Sequence, residues 1–229
     1  MCGRYALYGR EPDLAGRFDL KACPDYAPRY NIAPQSEIPV VRYRPDVGRV
    51  AQMVRWGLVP SWAKEPSIGA KLNNARAESV AEKPSFRSSF SKHRCIIPAN
   101  GFYEWQPVIR DGKTIKQPWF IRPEKDDEFF AMAGLLARWV TPEGSNLITT
   151  CVITTGPNEV MTPIHGRMPV MLANDDIDRW LDPTNLDKEG LLTLLKPAPN
   201  PMMRAFRVSS AVSRASNEGP ELIEPFSIE

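Results

Sequence analysis

Short apolar runs bounded by turn-forming residues dominate the chain. Residues 36–44 (SEIPVVRYR) and 49–60 (RVAQMVRWGLVP) are rich in valine and isoleucine and are separated by PDVG, which predicts a β-hairpin. Similar β-type runs follow in RCIIPANGFYEWQPV, KQPWFIRP, EFFAMAGLLARWV and NLITTCVITT, and RDGK predicts a second hairpin turn. We therefore expect a chain built mainly of strands.

Helical patterns are fewer and occur in EPDLAGRFDL, NDDIDRWLD and NLDKEGLLTLLK. The 23 prolines are scattered through the chain, and because interior prolines break helices they disfavour a helical bundle. We expect a single domain over residues 1–229 of class α+β, with a curled, barrel-like antiparallel sheet and a few flanking helices. The proline-rich segment 200–229 is expected to attach loosely.

Composition excludes several classes of protein. A net charge of +2 and a pI near 8.3 are too mild to indicate a general nucleic-acid binder, although they allow a local basic groove. The longest apolar run, FFAMAGLLA, is too short to span a bilayer, and early charged residues leave no signal-peptide segment. Four dispersed cysteines and two histidines favour neither disulfides nor a zinc site. We expect a cytoplasmic protein without metal or cofactor.

Cys2 is the residue with the most distinctive position. A small residue behind Met1 permits removal of the methionine, which leaves an amine and a thiol on one residue. Their ordinary pKa values leave about a tenth of the amine neutral and a few per cent of the thiol ionised at pH 7. Such a pair converts an aldehyde into an imine and then a thiazolidine ring, which an internal cysteine cannot do. The alternative is an incidental cysteine that packs as a small hydrophobe.

Three further stretches carry polar groups suited to chemistry. KLNNARAES brings together the amide of Asn74 and the planar guanidinium of Arg76, which suits phosphate. In PANGFYEWQ, Glu104 stands between aromatic residues, whose desolvation favours a general acid or base. In PIHGRMPVML, glycine and prolines bracket His165, a natural proton shuttle. Each stretch alone also fits a structural role: a solvated turn, a strand with its carboxylate in water, or a structural histidine.

Taken together, the motifs resemble the SOS-response-associated peptidase family of abasic-site processing proteins. The resemblance rests on MCGR, YNIAP, RWGLVPSWA, NARAES, KPSFRSSF, RCIIPANGFYEW, HGRMPVML and RWLDP, which follow the family's order and spacing from residue 2 to about 183. It implies capture of the ring-opened sugar aldehyde of an abasic site in single-stranded DNA as a thiazolidine crosslink, with lyase-like imine chemistry. It also implies a thiol self-processing reaction that releases Met1, and a role in DNA repair and the SOS response.

The resemblance assigns a role to each matching residue. Cys2 is the nucleophile, and Asn74 orients it. Glu104 assists imine chemistry, while His165 acts on the sugar ring oxygen and assists reversal. The implied DNA contacts are Gly3, Arg4, Asn31, Trp62, Arg76 and Arg167. The implied partner is single-stranded DNA with an abasic site, including DNA at replication forks, and we expect a monomer that associates with the nucleoid when it acts.

Two positions depart from the family pattern. The family commonly has an acidic residue where this chain has Gly166, so a charge beside His165 is missing. It commonly has aspartate where this chain has Asn100, and we expect asparagine to preserve the local turn because it makes the same hydrogen bonds.

Other classes of function share some of these features. Glutamine amidotransferases also begin MCG, but they usually carry a synthetase domain for which this chain has no room. A non-catalytic single-stranded nucleic-acid binding module is the second alternative. A Cys–His protease is disfavoured because no internal cysteine has polar neighbours. Ammonia release from glutamine would indicate the first alternative, and purely reversible, salt-sensitive DNA binding the second.

Overall fold

The computed structural model describes residues 2–125 and 128–226. Within these ranges the strands are β1 (Tyr5–Leu7), β2 (Arg29–Ile32), β3 (Glu37–Arg44), β4 (Gly48–Trp56), β5 (Asn74–Arg76), β6 (Arg94–Ala99), β7 (Gly101–Arg110), β8 (Lys113–Pro123), β9 (Phe130–Val140), β10 (Asn146–Thr155), β11 (Met168–Pro169) and β12 (Met203–Arg207). The α-helices are α1 (Glu11–Phe18), α2 (Arg87–Lys92), α3 (Ile177–Leu181) and α4 (Lys188–Leu192).

Five strands close into a barrel in the order β10, β4, β3, β6 and β9, with β9 pairing back onto β10. The α+β class and the curled sheet are therefore confirmed. The sheet is mixed rather than purely antiparallel, because β10 runs parallel to both β4 and β5. Parallel neighbours need long connections, and hairpin signals in a sequence report only antiparallel neighbours.

Both hairpins expected from the sequence are present. β3 pairs with β4 over its full length, and Gly48 at the turn has φ 103°. β7 and β8 are joined through Asp111 (φ 51°) and Gly112 (φ 70°). Positive φ at two successive residues is the geometry of the tight turn that matches strand twist, which explains the aspartate–glycine pair.

The helices are short and lie around the sheets. In α1, Leu14 and Phe18 are one turn apart and both are buried, so the helix covers the core with one face. α3 and α4 lie within the two later segments expected to be helical. α2 was not expected from the sequence, since RSSFSK has few strong helix formers. No helix in the described ranges is long and apolar enough to cross a membrane.

A second sheet, in the order β12, β8, β7, β1 and β2, packs beside the barrel. It carries the chain's last described residues: β12 pairs with β8, and Val208, Val212 and Leu222 are fully or almost fully buried. The segment from residue 200 to 226 is therefore packed onto the fold rather than loosely attached. Its prolines shape turns while its few apolar side chains complete a small core, and residues 227–229 lie outside the described ranges.

Candidate active site at the N-terminus

Asn74 connects the N-terminal segment to the barrel. β5 pairs in parallel with β10, and this pairing places Asn74 opposite Val152. The amide nitrogen Nδ2 of Asn74 donates a hydrogen bond to the carbonyl oxygen of Cys2 at 2.8 Å. The amide oxygen Oδ1 is buried and accepts no hydrogen bond from the described residues. An unused acceptor therefore lies on the side chain that holds Cys2.

Cys2 itself is fully buried, three residues before β1 begins. Burial raises the pKa of its thiol well above the ordinary value, and the negative charge of Glu104 raises that pKa further. The thiol is therefore protonated at neutral pH. The sequence analysis took ordinary pKa values for the chain without Met1, whereas in the folded chain with Met1 burial and the carboxylate of Glu104 raise the pKa of this thiol.

Glu104 lies on β7, opposite Trp119 of β8, and its side chain points into the protein. Burial raises the pKa of this carboxyl, and the charge of His165 opposes that rise. The Oε1 atom of Glu104 lies 3.9 Å from Nδ1 of His165. Desolvation thus acts as the flanking aromatic residues predicted, and the alternative of a carboxylate facing water was wrong.

His165 lies in the loop between β10 and β11. Its backbone N–H donates to the carbonyl of Met161 at 2.9 Å, and its ring Nδ1 lies 3.1 Å from the backbone N–H of Arg167. When Nδ1 accepts this hydrogen bond, the proton of the neutral ring is on Nε2. Local backbone contacts therefore orient the imidazole, as the bracketing glycine and prolines predicted.

Cys2, Asn74, Glu104 and His165 together form what we call the N-terminal site. They come from separate elements, and the contacts that join them are the Asn74–Cys2 hydrogen bond, the Glu104–His165 approach, and the effect of Glu104 on the pKa of Cys2. The site thus places a protonated thiol, a carboxyl group with a raised pKa and an imidazole around the first residues of the chain. Such a set can exchange protons near neutral pH.

Three of the expected DNA contacts, Arg167, Arg4 and Asn31, are occupied by other partners. The guanidinium of Arg167 makes two contacts with the carboxylate of Glu78, with Nη1–Oε1 at 2.5 Å and Nη2–Oε2 at 3.0 Å, and also donates to Thr154. Glu78 is a residue that the sequence analysis did not single out. The only signal for it was its position inside the NARAES motif.

Arg4, which is half-buried, contacts the buried side chain of Asn31. Nη1 of Arg4 donates to Oδ1 of Asn31 at 2.7 Å and to the carbonyl of Val212 at 2.9 Å, and the guanidinium carbon lies 5.8 Å from the ring centroid of Trp105. Burial lowers the pKa of Arg4. Asn31 is fully buried and its amide faces backbone carbonyls of the C-terminal segment, so in this structure it is a packing residue.

The other expected DNA contacts lie at the surface. Trp62 is 58% exposed, and its Nε1 lies 3.4 Å from the carbonyl oxygen of Pro84. Arg76 is exposed at the end of β5, two residues after Asn74. Gly3 is partly exposed between Cys2 and Arg4. All three residues are accessible to a ligand, and Gly3 and Arg76 lie within two residues of Cys2 and Asn74 in the chain.

The remaining cysteines do not join this site. Cys95 and Cys151 are buried in the barrel core, where Cys95 lies 3.5 Å from the hydroxyl of Thr150. Cys23 is partly exposed, and partial burial raises the pKa of its thiol to about 11. Within the described ranges, no group of three metal-ligating side chains is arranged to hold a metal ion.

The chain is similar to known proteins over most of its length. The family model described as SOS response associated peptidase (SRAP) matches residues 1–215. The chain is 45% identical over 227 residues to the abasic site processing protein YoqW of Bacillus subtilis, covering 98% of this chain and 99% of that one. It is 35% identical over 233 residues to the abasic site processing protein HMCES of Gallus gallus, covering 89% and 68% respectively.

A solved structure supports the fold. An X-ray structure of a protein from Bacteroides thetaiotaomicron superposes with a TM-score of 0.86 at 26% identity, covering 99% of this chain and all of that one. The family resemblance inferred from the motifs is thereby confirmed. With a family match across almost the whole sequence and relatives of nearly equal length, this chain belongs to the SOS response associated peptidase family.

Proposed function

We propose that this protein processes abasic sites in DNA by capturing the lesion covalently with Cys2. The relatives named abasic site processing proteins support the lesion as substrate. The observation that carries the chemistry is the N-terminal site: Asn74 bonds to Cys2, Glu104 acts on the pKa of its thiol, and His165 lies against Glu104. Cys2 becomes a 1,2-aminothiol once Met1 is gone. The crosslink shields the lesion from strand cleavage, which serves DNA repair and the SOS response.

The proposed reaction begins with the sugar. The closed sugar of an abasic site opens when the bond between C1′ and the ring oxygen breaks, the ring oxygen gains a proton, and the C1′ hydroxyl loses one. As imidazolium, His165 gives a proton from Nε2 to the ring oxygen while its Nδ1–H faces the carbonyl oxygen of Arg167 at 3.2 Å. The neutral ring then takes up the proton that the C1′ hydroxyl releases. The product is an aldehyde within reach of Cys2.

Capture then forms two bonds at the aldehyde carbon. The α-amine of Cys2 adds to C1′ and the aldehyde oxygen leaves as water, which gives an iminium ion. The thiol sulfur adds to the same carbon and releases its proton, and the nitrogen becomes a neutral secondary amine. One C–N bond and one C–S bond replace the C=O bond, and one water is released. The same steps in reverse order, assisted by His165, release the aldehyde.

Glu104 serves both proton-transfer steps. A carboxyl whose pKa is raised by burial protonates the leaving hydroxyl of the carbinolamine and then, as carboxylate, accepts the thiol proton. This order of steps explains why the raised pKa of the Cys2 thiol does not prevent capture. The thiol reacts only after Glu104 has lost its own proton and can accept the proton of the thiol. Asn74 holds the backbone of Cys2 in place, and its unused oxygen can accept an N–H of the α-amine.

Release of Met1 is the step that prepares the nucleophile. Hydrolysis of the Met1–Cys2 peptide bond consumes one water and frees the α-amine. We assign this step to Cys2 itself, in keeping with the peptidase label of the family. Intact mass should therefore show wild-type protein without Met1, and a chain that forms the crosslink while fully retaining Met1 would contradict the aminothiol mechanism.

DNA bound at the site can contact exposed residues of the protein. Trp62 can stack on or separate bases, an interaction worth about 1–3 kcal/mol per base, and Arg76 and Gly3 can approach phosphate. Arg167 becomes a phosphate ligand when DNA replaces the carboxylate of Glu78. Arg4 and Asn31 act indirectly, because they hold the backbone next to Cys2 against the C-terminal segment.

The test uses single-stranded oligonucleotide with one abasic site. After incubation and denaturation, wild-type protein should give a slow-migrating covalent species on a gel, and Cys2→Ala should give none that survives heating. The matched control is Cys23→Ser, which alters a more exposed thiol outside the N-terminal site and should crosslink like wild type. No adduct with wild type, or equal heat-stable adduct with Cys2→Ala, would refute the proposal.

A further inference from the structure

A basic groove of about 560 Å³ lies on the barrel wall, away from the N-terminal site. Residues that line it include Arg42, Tyr43, Lys92, His93, Arg138 and Ile148. Ile148, a lining residue on β10, gives a measure of the distance to the N-terminal site. It lies four residues before Val152, which pairs with Asn74, and seven residues before Thr155, where the strand ends. At about 3.3 Å per residue, the groove is roughly 13–23 Å from the N-terminal site along this strand.

Cations reach the groove from separate elements. Arg42 comes from β3, Lys92 from the end of α2 and Arg138 from β9. None of the three forms an ion pair within the part of the chain that the structure describes. In addition, the Nε atom of Arg42 is buried without a hydrogen-bond partner among those residues. The positive charge of the groove is therefore not neutralised by its surroundings.

Arg94 also contributes charge to this region, although it is not available as a ligand. Its buried guanidinium donates to backbone carbonyls, including those of Phe90 at 2.8 Å and Trp180 at 2.7 Å. Asp182, an acidic side chain that interacts with Arg94, accepts hydrogen bonds from Thr184. Arg94 therefore does not compete with Lys92 and Arg138 for a bound anion, because backbone carbonyls occupy its guanidinium.

The pKa of His93 is sensitive to the positive charge of the groove. Partial desolvation lowers the pKa of its ring, and the positive charges of Arg42, Lys92 and Arg94 lower it further. An anion bound among these cations would reverse part of the electrostatic effect and raise the pKa of His93. Since the chain has only two histidines, the ring signals of His93 are easy to resolve by NMR.

The groove is continuous with the surface that carries Trp62. A smaller recess of about 230 Å³ shares His93 and Arg138 with the groove and is lined further on by Trp62 and by serine hydroxyls, including that of Ser88. Tyr43, 40% exposed, presents a second aromatic ring at the far side. Spaced cations alternating with exposed aromatic rings match the charge and stacking pattern of single-stranded DNA.

We propose that this groove binds the phosphodiester backbone of the DNA strand that flanks the lesion. The inference rests on the proposed function and adds a second contact region to it. At 3.4 Å per nucleotide, the distance along β10 corresponds to roughly four to seven nucleotides from the lesion. Lys92 and Arg138 are the phosphate ligands, and Tyr43 and Trp62 are the stacking surfaces on either side.

The first test measures capture rates on oligonucleotides with different flanks. Each carries one abasic site and either two nucleotides on both sides or ten added on the 5′ or the 3′ side. If each phosphate contact contributes as an exposed ion pair does, wild type should capture one of the long-flank substrates roughly fivefold faster than the short one. Lys92→Ala/Arg138→Ala should abolish that advantage and capture the short substrate at the wild-type rate.

The matched control is Lys188→Ala/Lys196→Ala, which removes the same charge from exposed positions that do not line the groove. It should retain the long-flank advantage. Equal rates on short and long substrates, or an advantage that survives in Lys92→Ala/Arg138→Ala, would overturn the inference while leaving covalent capture intact. Failure of the short and both long substrates to crosslink would instead refute the proposed function.

The second test uses lesion-free oligonucleotide and so does not depend on capture. In Lys92→Ala/Arg138→Ala, the loss of two phosphate contacts should change the salt dependence of binding. The plot of log K for oligonucleotide binding against log salt concentration should be shallower than for wild type by about 1.4, at about 0.7 per contact on a single strand. In parallel, NMR should show that the oligonucleotide raises the pKa of His93. An unchanged slope, or a response of His93 to inorganic phosphate but not to oligonucleotide, would overturn the inference.

Discussion

Asn31 provides a quantitative test of how the N-terminal segment is held in place. Its amide nitrogen lies 3.3 Å, 3.1 Å and 2.8 Å from the carbonyl oxygens of Val212, Arg214 and Asn217. Its amide oxygen accepts a hydrogen bond from Arg4 at 2.7 Å. The side chain thereby links β2, the C-terminal segment and the residues that follow the nucleophile. Asn31→Ala removes all of these interactions at once.

The expected loss of stability follows from the hydrogen bonds. An amide has two N–H donors, so Asn31 satisfies two of the three carbonyls at a time. A neutral hydrogen bond contributes about 1 kcal/mol and one to a charged group about 1.5–3 kcal/mol. Asn31→Ala should therefore lower the free energy of unfolding by roughly 3–5 kcal/mol, which corresponds to a fall in Tm of roughly 10 °C for a chain of this size.

Thermal denaturation measures the change in Tm, and limited trypsin digestion reports release of the C-terminal segment through cleavage after Arg214. Asn146→Ala is the control, since Asn146 is exposed at the start of β10. The reasoning is refuted if Asn31→Ala loses less than about 1 kcal/mol, below the value of one typical hydrogen bond, with unchanged digestion. A loss of DNA affinity at full stability would instead make Asn31 a DNA contact, as the family resemblance implied.

Three further predictions concern charged and polar groups around the site. Burial raises the pKa of Glu104 above its ordinary 4.5, so the free energy of unfolding of wild type should fall as pH rises from 4.5 through the raised pKa. Urea titrations should show that Glu104→Gln lacks this fall, and crosslinking assays should show that it captures the lesion more slowly. Glu78→Gln should release Arg167, increasing DNA affinity measured by fluorescence anisotropy, with a stability change below about 1 kcal/mol because Glu78 is 57% exposed. Asn100→Asp should keep the Tm near wild type, since a carboxylate accepts the same two backbone N–H bonds at 2.8 Å, whereas Asn100→Ala should cost about 2 kcal/mol.

Each of these predictions has a result that contradicts it. An unchanged capture rate in Glu104→Gln would remove this carboxyl from the mechanism. Weaker DNA binding by Glu78→Gln would show that the ion pair positions Arg167 for DNA rather than withholding it. A large loss of stability in Asn100→Asp would show that the buried position disfavours a charge more than the two backbone donors favour it.

The local pattern of the sequence was sufficient for much of the fold. Valine-rich runs separated by PDVG and RDGK predicted both long hairpins, because tight turns leave a signal in adjacent residues. The pairing of β10 with β4 and β5 left no such signal, since parallel neighbours are far apart in the chain. The same limit applies to the C-terminal segment, whose anchor Asn31 lies more than 180 residues away.

The properties of the candidate site likewise come partly from local sequence and partly from tertiary structure. Residue identity alone determined that Cys2 can become an aminothiol, because that property depends on covalent structure. The aromatic neighbours of Glu104 predicted a raised pKa, but it was burial in the folded chain that decided against a carboxylate in water. Tertiary structure alone decided that the thiol of Cys2 is buried beside a carboxylate, and that Arg167 pairs with Glu78. Burial and charge pairing depend on which distant segments meet in space, and only folding brings those segments together.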